Sequence, residues 1–350
     1  MKRALVNMLS DTCTKPGTAM RKLIATAQVG DDVYGLDPTV QQLQRVAADK
    51  LGKEASLFIP SGTMSNLIAI GAHCDRGDEI ILGDKQHIFV YEGAGASAYM
   101  GVSLNIIPNQ ANGTIKLEDM RNAIREDDQH YPRTKLIALE NTHNTCGGRV
   151  LPLPYIRQVE QFAKDNQLKL HVDGARLANA SVATGVPMAE LVKGADTVSL
   201  CLSKGLGAPV GTILAGPEEF IERAKRLRKS LGGGMRQSGL LAAAGLFALE
   251  EQFERLAEDH ANAKALAQGL SEIPDVLVNT DDVETNILFF RLKPEAKLGA
   301  KALAKALEAE KGIVLGGSLW NSGRLRAVTN LHVTQEDIEY TVDSVRELLA

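Results

Sequence analysis

The stretch L-K-L-H-V-D-G-A-R, residues 168–176, decides the fold. It reads as a short apolar run that ends on a carboxylate, Asp173, and then turns through glycine. A second stretch repeats the plan: S-L-C-L-S-K-G-L-G, residues 199–207, is an apolar run that ends in a Ser/Gly turn around Lys204. Working outward, further runs of this kind fall at Glu79–Gly83, Ser103–Ile107, Leu136–Glu140 and Thr212–Leu214, beside Leu168–Val172 and Thr197–Leu202. Several are apolar on both faces, as strands of a parallel sheet covered by helices must be. Helix-length segments separate them. Asp37-Pro38 supplies an N-cap and a first helical residue, with Val40, Leu43, Ala47 and Leu51 on one face. Leu153–Lys164 and Glu218–Ser230 read similarly. Strands separated by helices imply right-handed crossovers and a doubly wound α/β unit.

Past Gly232-Gly233-Gly234 the texture changes. An Ala- and Leu-rich helical stretch runs from Ser238 to about Leu270, followed by a strand (286–292), a helix (299–311), a strand (324–328) and a helix from Gln335. We expect an arm over residues 1–15, a large α/β domain over 16–240 and a smaller α+β domain over 241–350.

Composition limits the functions open to this chain. Its 350 residues carry 39 basic and 43 acidic side chains, a net charge of −4, which gives no electrostatic reason for nucleic acid or an anionic membrane as partner. Its four cysteines are far apart with no C-x-x-C pair and the seven histidines do not cluster, so no metal site is expected. The N-terminal residues meet polar side chains too early for a signal core, and the apolar run Leu240–Leu249 is half a membrane span. A cytoplasmic location is the expectation. The P-loop, the strand-linked G-x-G-x-x-G, the G-x-S-x-G elbow and H-E-x-x-H are all absent from the sequence.

Open α/β sheets place their active sites at the carboxyl ends of the strands. A lysine there would be partly desolvated and could offer its amine to form a Schiff base. Asp173, ending another strand, can pair with a protonated pyridine nitrogen and keep pyridoxal 5′-phosphate an effective electron sink. Arg176 lies three residues on, within reach of a substrate carboxylate or the cofactor. Ser61, Gly62 and Thr63 open a helix and offer a phosphate cradle. His87, after the strand 79–83, can stack on an aromatic ring. Each signal alone has an ordinary explanation: a surface lysine, an N-cap aspartate, a capping motif, a core histidine. Together, in this order and each after a strand, they point to a pyridoxal phosphate site.

The sequence also resembles the low-specificity L-threonine aldolases, within the fold type I (aspartate aminotransferase-like) pyridoxal phosphate enzymes. The likeness rests on S-D-T (10–12), G-D-D-V-Y-G-L-D-P-T (30–39), S-G-T-M-S-N (61–66), E-N-T-H-N (140–144), H-V-D-G-A-R (171–176), L-S-K-G-L-G-A-P-V-G (202–211), G-G-G-M-R-Q-S-G (232–239) and R-A-V-T-N-L-H-V (326–333). The resemblance implies cleavage of L-threonine or L-allo-threonine to glycine and acetaldehyde. It makes Lys204 the cofactor lysine, Asp173 the partner of the pyridine nitrogen and His87 the stacking ring, with Gly62 and Thr63 on the phosphate. Lys229 and Arg236 would complete the phosphate site from a neighbouring subunit, and Tyr34 would lie near a partner's site. Ser10, Arg176 and Arg326 are candidates for the substrate carboxylate. His143 is the candidate to act on the β-hydroxyl, with His87 or a bound water as alternatives. A homo-oligomer with sites built across a dimer, and a tetramer, follow by resemblance. The chain departs from the family pattern at Leu9, Leu36 and Asn330, which bears on interface details and β-carbon stereopreference. A β-eliminating lyase or an aminotransferase of the same fold is the nearest rival; a non-catalytic binding protein and a nicotinamide dehydrogenase are more distant ones.

Overall fold

The computed structural model describes residues 5–316 and 323–350; residues 1–4 of the expected arm lie outside the described residues. The six strands read from the sequence up to residue 216 assemble, with a seventh at 55–59 that the sequence did not announce, into one seven-stranded sheet. They are β2 (Ala55–Ile59), β3 (Glu79–Gly83), β4 (Ser103–Ile107), β5 (Thr134–Glu140), β6 (Lys169–Asp173), β7 (Thr197–Cys201) and β8 (Thr212–Gly216), in the order β2-β8-β7-β6-β5-β3-β4. β4, β3, β5, β6 and β7 run parallel, and β8 alone is antiparallel to its neighbours β7 and β2. β3, β7 and β8 are buried along their whole length, as strands covered on both faces are. Chain order leaves β3 in one direction to reach β4 and in the other to reach β5. That reversal opens a crevice at the carboxyl ends of the strands.

The expected helix starts are confirmed. Asp37 caps Pro38–Leu51 by accepting hydrogen bonds from Thr39 N and Val40 N, both at 3.1 Å. Its other oxygen accepts from Gly30 N (3.1 Å) and Gly239 N (2.8 Å), so one buried carboxylate ties residues 30–39 to the 232–239 stretch. A Cβ at Gly239 would lie 2.4 Å from Asp37 Oδ1, which leaves room for glycine alone.

Elsewhere the structure corrects the outline. The Ala/Leu-rich stretch is two helices, Gly239–Glu251 and Leu256–Ser271, because the chain turns at the polar residues between them. The first buries Ala242, Ala244, Ala248 and Leu249 in the apolar cluster of the large sheet, and most of the second packs in a separate cluster. The helix expected over 299–311 is regular only over Ala300–Ala306, then widens into a π-turn over Leu307–Lys311. Four strands had no clear signature. β2 is one; the others are β1 (Val6–Met8), β9 (Val276–Leu277) and β11 (Ile313–Leu315), which have two or three residues each.

β9, β10 (Ile287–Leu292) and β12 (Arg324–Val328) form a small antiparallel sheet, while β1 pairs in parallel with β11. Val6 and Met8 are thereby buried in the apolar cluster of the C-terminal part. Among the described residues, no helix is long and apolar enough to cross a membrane.

Candidate active site

Each strand that ends at the crevice delivers one polar group. Asp173 closes β6, 3% exposed. Its Oδ2 accepts from Asn66 Nδ2 (2.8 Å) and its Oδ1 from Ala175 N (3.1 Å). Both partners are neutral, so a buried carboxylate faces the crevice with its charge uncompensated by a hydrogen-bonded cation. Asn66 comes from the helix Gly62–His73, whose N-cap Ser61 accepts from Met64 N. That helix starts directly after β2 and aims its first-turn N–H groups, those of Gly62 and Thr63, outward, as unbonded donors at a helix end are. Gly62 packs so closely on β7 that a Cβ would lie 2.8 Å from Cys201 Sγ.

After β3, His87 opens a short helical turn. Its backbone N donates to Glu140 Oε2 (2.6 Å), at the end of β5, and its Nδ1 lies 2.7 Å from Glu92 Oε1. Glu140 Oε1 in turn accepts from Asn144 N at 2.8 Å. His87, Glu92 and Asp173 have donor atoms within 4.8 Å of one another. Burial and the neighbouring Asp173 push the Glu92 carboxyl up, against the pull of His87. Burial alone would lower His87, yet the hydrogen bond to Glu92 and the charge of Asp173 hold it above its usual value.

Lys204 follows β7 in a loop closed by Gly207 N donating to Lys204 O at 2.8 Å. Gly207 takes φ +79°, a backbone state that side chains resist. Thr14 Oγ1 lies 3.0 Å from the same Lys204 carbonyl and 2.8 Å from Asp11 O, so the N-terminal segment braces the lysine loop. Asp11 is fully buried. It receives Arg176 Nε (2.8 Å) and Nη2 (2.7 Å) as a two-pronged pair, with Asn286 Nδ2 at 3.2 Å on Oδ2. Burial raises its carboxyl, but Arg176 outweighs that and holds it far below the usual range.

Arg326, on β12, points into the same space. Nη2 donates to Asn144 Oδ1 (2.7 Å) and Nη1 to Leu9 O (3.2 Å), whereas the buried Nε has no partner among the described residues. Burial and the adjacent Arg176 push Arg326 down to about 10. Ser10 lies beside Leu9, its Oγ accepting from Thr12 N at 3.2 Å.

The structure thus brings together Lys204, Asp173, His87, Arg176, Arg326 and Ser10 around one crevice. His143 is different: it is 0% exposed, covered by Gly113, and neither ring nitrogen has a hydrogen-bond partner. Lys229 lies in the last turn of the helix Glu218–Ser230, whose Arg228 is anchored to Phe58 O on β2 at 2.8 Å. Arg236 and Tyr34 lie out on the surface, the guanidinium 5.7 Å over the ring and paired with Asp31 at 3.0 Å. Four residues had no assigned role in the sequence: Asp11, Asn66 and Asn144, all inside motifs quoted above, and Glu92, which stands in none.

The site can be set beside known proteins. A family model described as Beta-eliminating lyase matches residues 7–293. Low-specificity L-threonine aldolase 1 of Arabidopsis thaliana is 49% identical over 347 residues, covering 98% of this chain and 96% of its own. The low specificity L-threonine aldolase of Escherichia coli (strain K12) is 43% identical over 346 residues, covering 99% and 100%. Among solved structures, a Leishmania major threonine aldolase superposes with a TM-score of 0.84 over 99% of this chain and 100% of its own; at 21% identity that likeness is one of fold.

Proposed function

The chain belongs to the beta-eliminating lyase family and, within it, to the low-specificity L-threonine aldolases; from that premise we propose that it is a pyridoxal 5′-phosphate lyase that cleaves L-threonine, L-allo-threonine and related β-hydroxy-α-amino acids to glycine and an aldehyde. The observation that carries the cofactor assignment is Asp173: a buried carboxylate at a strand end, hydrogen-bonded only to neutral groups, suits a protonated ring nitrogen. The remaining donors match the other parts of the group. The amine of Lys204 would hold its aldehyde carbon, the helix start at Gly62 and Thr63 would take its phosphate, and His87 would cover the ring. Bound there, the cofactor supplies a sink for the electron pair left on Cα when the Cα–Cβ bond breaks.

The chain's own groups do the rest. Arg326 binds the substrate carboxylate, its unpartnered Nε and preset Nη2 providing a fixed fork that turns Cα–Cβ into the reactive orientation. Ser10 contributes its hydroxyl alongside. Arg176 has two of its nitrogens committed to Asp11, so its share is limited to Nη1, which faces Asn144 Oδ1 at 3.4 Å. The β-hydroxyl proton passes to His87 Nε2, directly or through water, because the His143 ring is enclosed. A proton returned to Cα completes glycine.

We assign Lys229, Arg236 and Tyr34 to a neighbouring subunit's site, built across a dimer within a homotetramer located in the cytoplasm and serving threonine breakdown and glycine formation. The exposure of Tyr34 (74%) and Leu36 (67%) on one loop supports a covered surface there. The division into a large and a small domain is likewise proposed. The two apolar clusters support it, and the packing of Gly239–Glu251 supports a boundary beyond that helix.

The test is acetaldehyde release from L-threonine by the purified protein supplied with pyridoxal phosphate. Turnover that depends on the cofactor and is lost in Lys204→Ala is expected. A folded, yellow protein that releases none, but converts to pyridoxamine phosphate or eliminates water, would instead be a transaminase or an eliminating lyase.

A further inference from the structure

The reading above uses Asp173 and His87 but leaves Glu92 without a task, although burying a carboxylate is costly unless something needs it. Its side chain is only 5% exposed. Its Oε1 lies 2.7 Å from His87 Nδ1 and accepts a hydrogen bond from Asn66 Nδ2 at 2.8 Å. The second proton of that same amide nitrogen goes to Asp173 Oδ2, also at 2.8 Å. Both Nδ2 protons are thus spent on carboxylates, which fixes Asn66 Oδ1 as an acceptor. It faces His171 Nε2 at 3.1 Å, so that nitrogen carries the proton. His171 is wholly buried, and burial pushes it down to about 4, so it is neutral and its Nδ1 accepts from Thr197 Oγ1 at 2.9 Å. Every polar atom in the chain Thr197–His171–Asn66 therefore has a defined direction, and the chain ends on two carboxylates with different neighbours.

We infer that Glu92 is a positioning residue for the proposed reaction: it holds the proton of His87 on Nδ1, leaving Nε2 as the basic nitrogen turned to the ligand, while Asn66 keeps the charge of Asp173 separate for the cofactor ring. The inference rests on the proposed cofactor reading for its catalytic consequence but not for the pairing itself. The logic is that of an imidazole oriented by a carboxylate on its far nitrogen, which sets both tautomer and basicity. The groups facing His87 are few. Glu92 lies on its own segment, Glu140 at the end of β5 accepts from the His87 backbone N at 2.6 Å, Asp173 ends β6, Lys204 follows β7, and Tyr91 stacks obliquely at 5.4 Å between ring centroids. Of these only Glu92 touches a ring nitrogen. Two carboxylates close together cannot both stay ionised cheaply, and the His87 proton relieves that repulsion in the absence of the ring.

The experiment compares wild type, Glu92→Gln and Glu92→Asp. The pKa of His87 is followed by NMR of protein labelled with 13C at histidine Cε1, with and without cofactor, and the pH profile of kcat for threonine cleavage is measured on the holoenzyme. Gln cannot stabilise an Nδ1 proton by charge. In Glu92→Gln the His87 pKa is expected to fall by about one unit or more. The acid limb of kcat should move down in pH by the same amount, with a plateau about tenfold lower and KM little changed. Glu92→Asp, which keeps the charge, should return His87 toward its wild-type pKa; a role in packing alone would show no such rescue. Thermal melting establishes that each variant is folded, and if Glu92→Gln is not, the His87 tautomer in cofactor-free wild type, read from its ring 15N shifts, carries the test: a proton on Nδ1 is expected and one on Nε2 would overturn the inference. An unchanged His87 titration in a folded Glu92→Gln protein would overturn the inference. Absence of cofactor binding by wild type would overturn the functional reading instead, and the His87 titration of the cofactor-free protein would still decide the pairing.

Discussion

Arg176 and Arg326 reach Asn144 Oδ1 from opposite sides, one from the large sheet and one from the small, and they arrive in opposite conditions. Arg176 has its fork filled by Asp11, buried on both sides, and Asn286 of the small sheet secures the same carboxylate. Among the described residues, Arg326 has carbonyl-type partners on two nitrogens, a third nitrogen with none, and no carboxylate. Burial penalises both guanidinium groups, but the carboxylate holds Arg176 above its usual value while Arg326 is pushed down to about 10. A paired arginine joins parts of the fold; a half-satisfied one awaits an anion. The two residues share a type and a neighbourhood, so the partner set alone distinguishes structure from substrate binding.

The largest effect should come from breaking the filled fork. Asp11→Ala leaves a buried guanidinium without its counter-charge, and urea unfolding should show a loss of about 3–5 kcal/mol. The pH dependence gives the same pair a signature. The folded-state pKa of Asp11 is depressed, so its contribution is fully present above the unfolded value of about 3.9 and disappears as pH falls toward the folded one. Asp11→Asn should therefore be less stable than wild type at neutral pH and show a flatter loss of stability below about pH 4. Equal acid slopes would mean that the pair contributes nothing. Next in size is the open fork: Arg326→Lys, which loses planar two-point recognition, should raise KM for threonine about 10–100-fold with little change in melting temperature. A fall in stability with KM intact would erase the contrast with Arg176. The smallest effect is expected at the enclosed ring. His143→Asn should change kcat by less than about threefold, under 1 kcal/mol in barrier, and a hundredfold loss would return the base to that residue.

The same contrast explains how much could be read from the sequence. The strand cores were legible because strands buried on both faces are written as continuous apolar runs, and Lys204, Asp173 and His87 because each closes or follows such a run. Asp37 was legible as a cap, since Pro38 follows it. Glu92 was not. It lies five residues after His87, and the turn that brings the two together is broken at Tyr91 (φ −122°, ψ 2°), so neither helical nor strand spacing connects them. Asp11 was visible only as part of S-D-T; its partner is 165 positions away, and no local pattern encodes that distance. Arg176 and Arg326 read alike because a sequence shows a charge but not whether it is already answered. β1 and β11 are too short to carry an alternation of their own.

The pairing of β1 with β11 has a consequence in time as well as space. Val6 meets Ile313 across a parallel ladder, and that ladder helps to seat the Leu9 carbonyl against Arg326. On a ribosome adding roughly 5–20 residues each second, the partner strand follows the first by roughly 15–60 s. Late in that interval, once β8 has been made, the large sheet has its strands and Lys204 has its loop, but Val6 and Met8 still have nothing to pair with. Val6 and Met8 therefore stay an unpaired apolar segment until β11 has been made, and the carboxylate-binding wall around Arg326 is finished only after that.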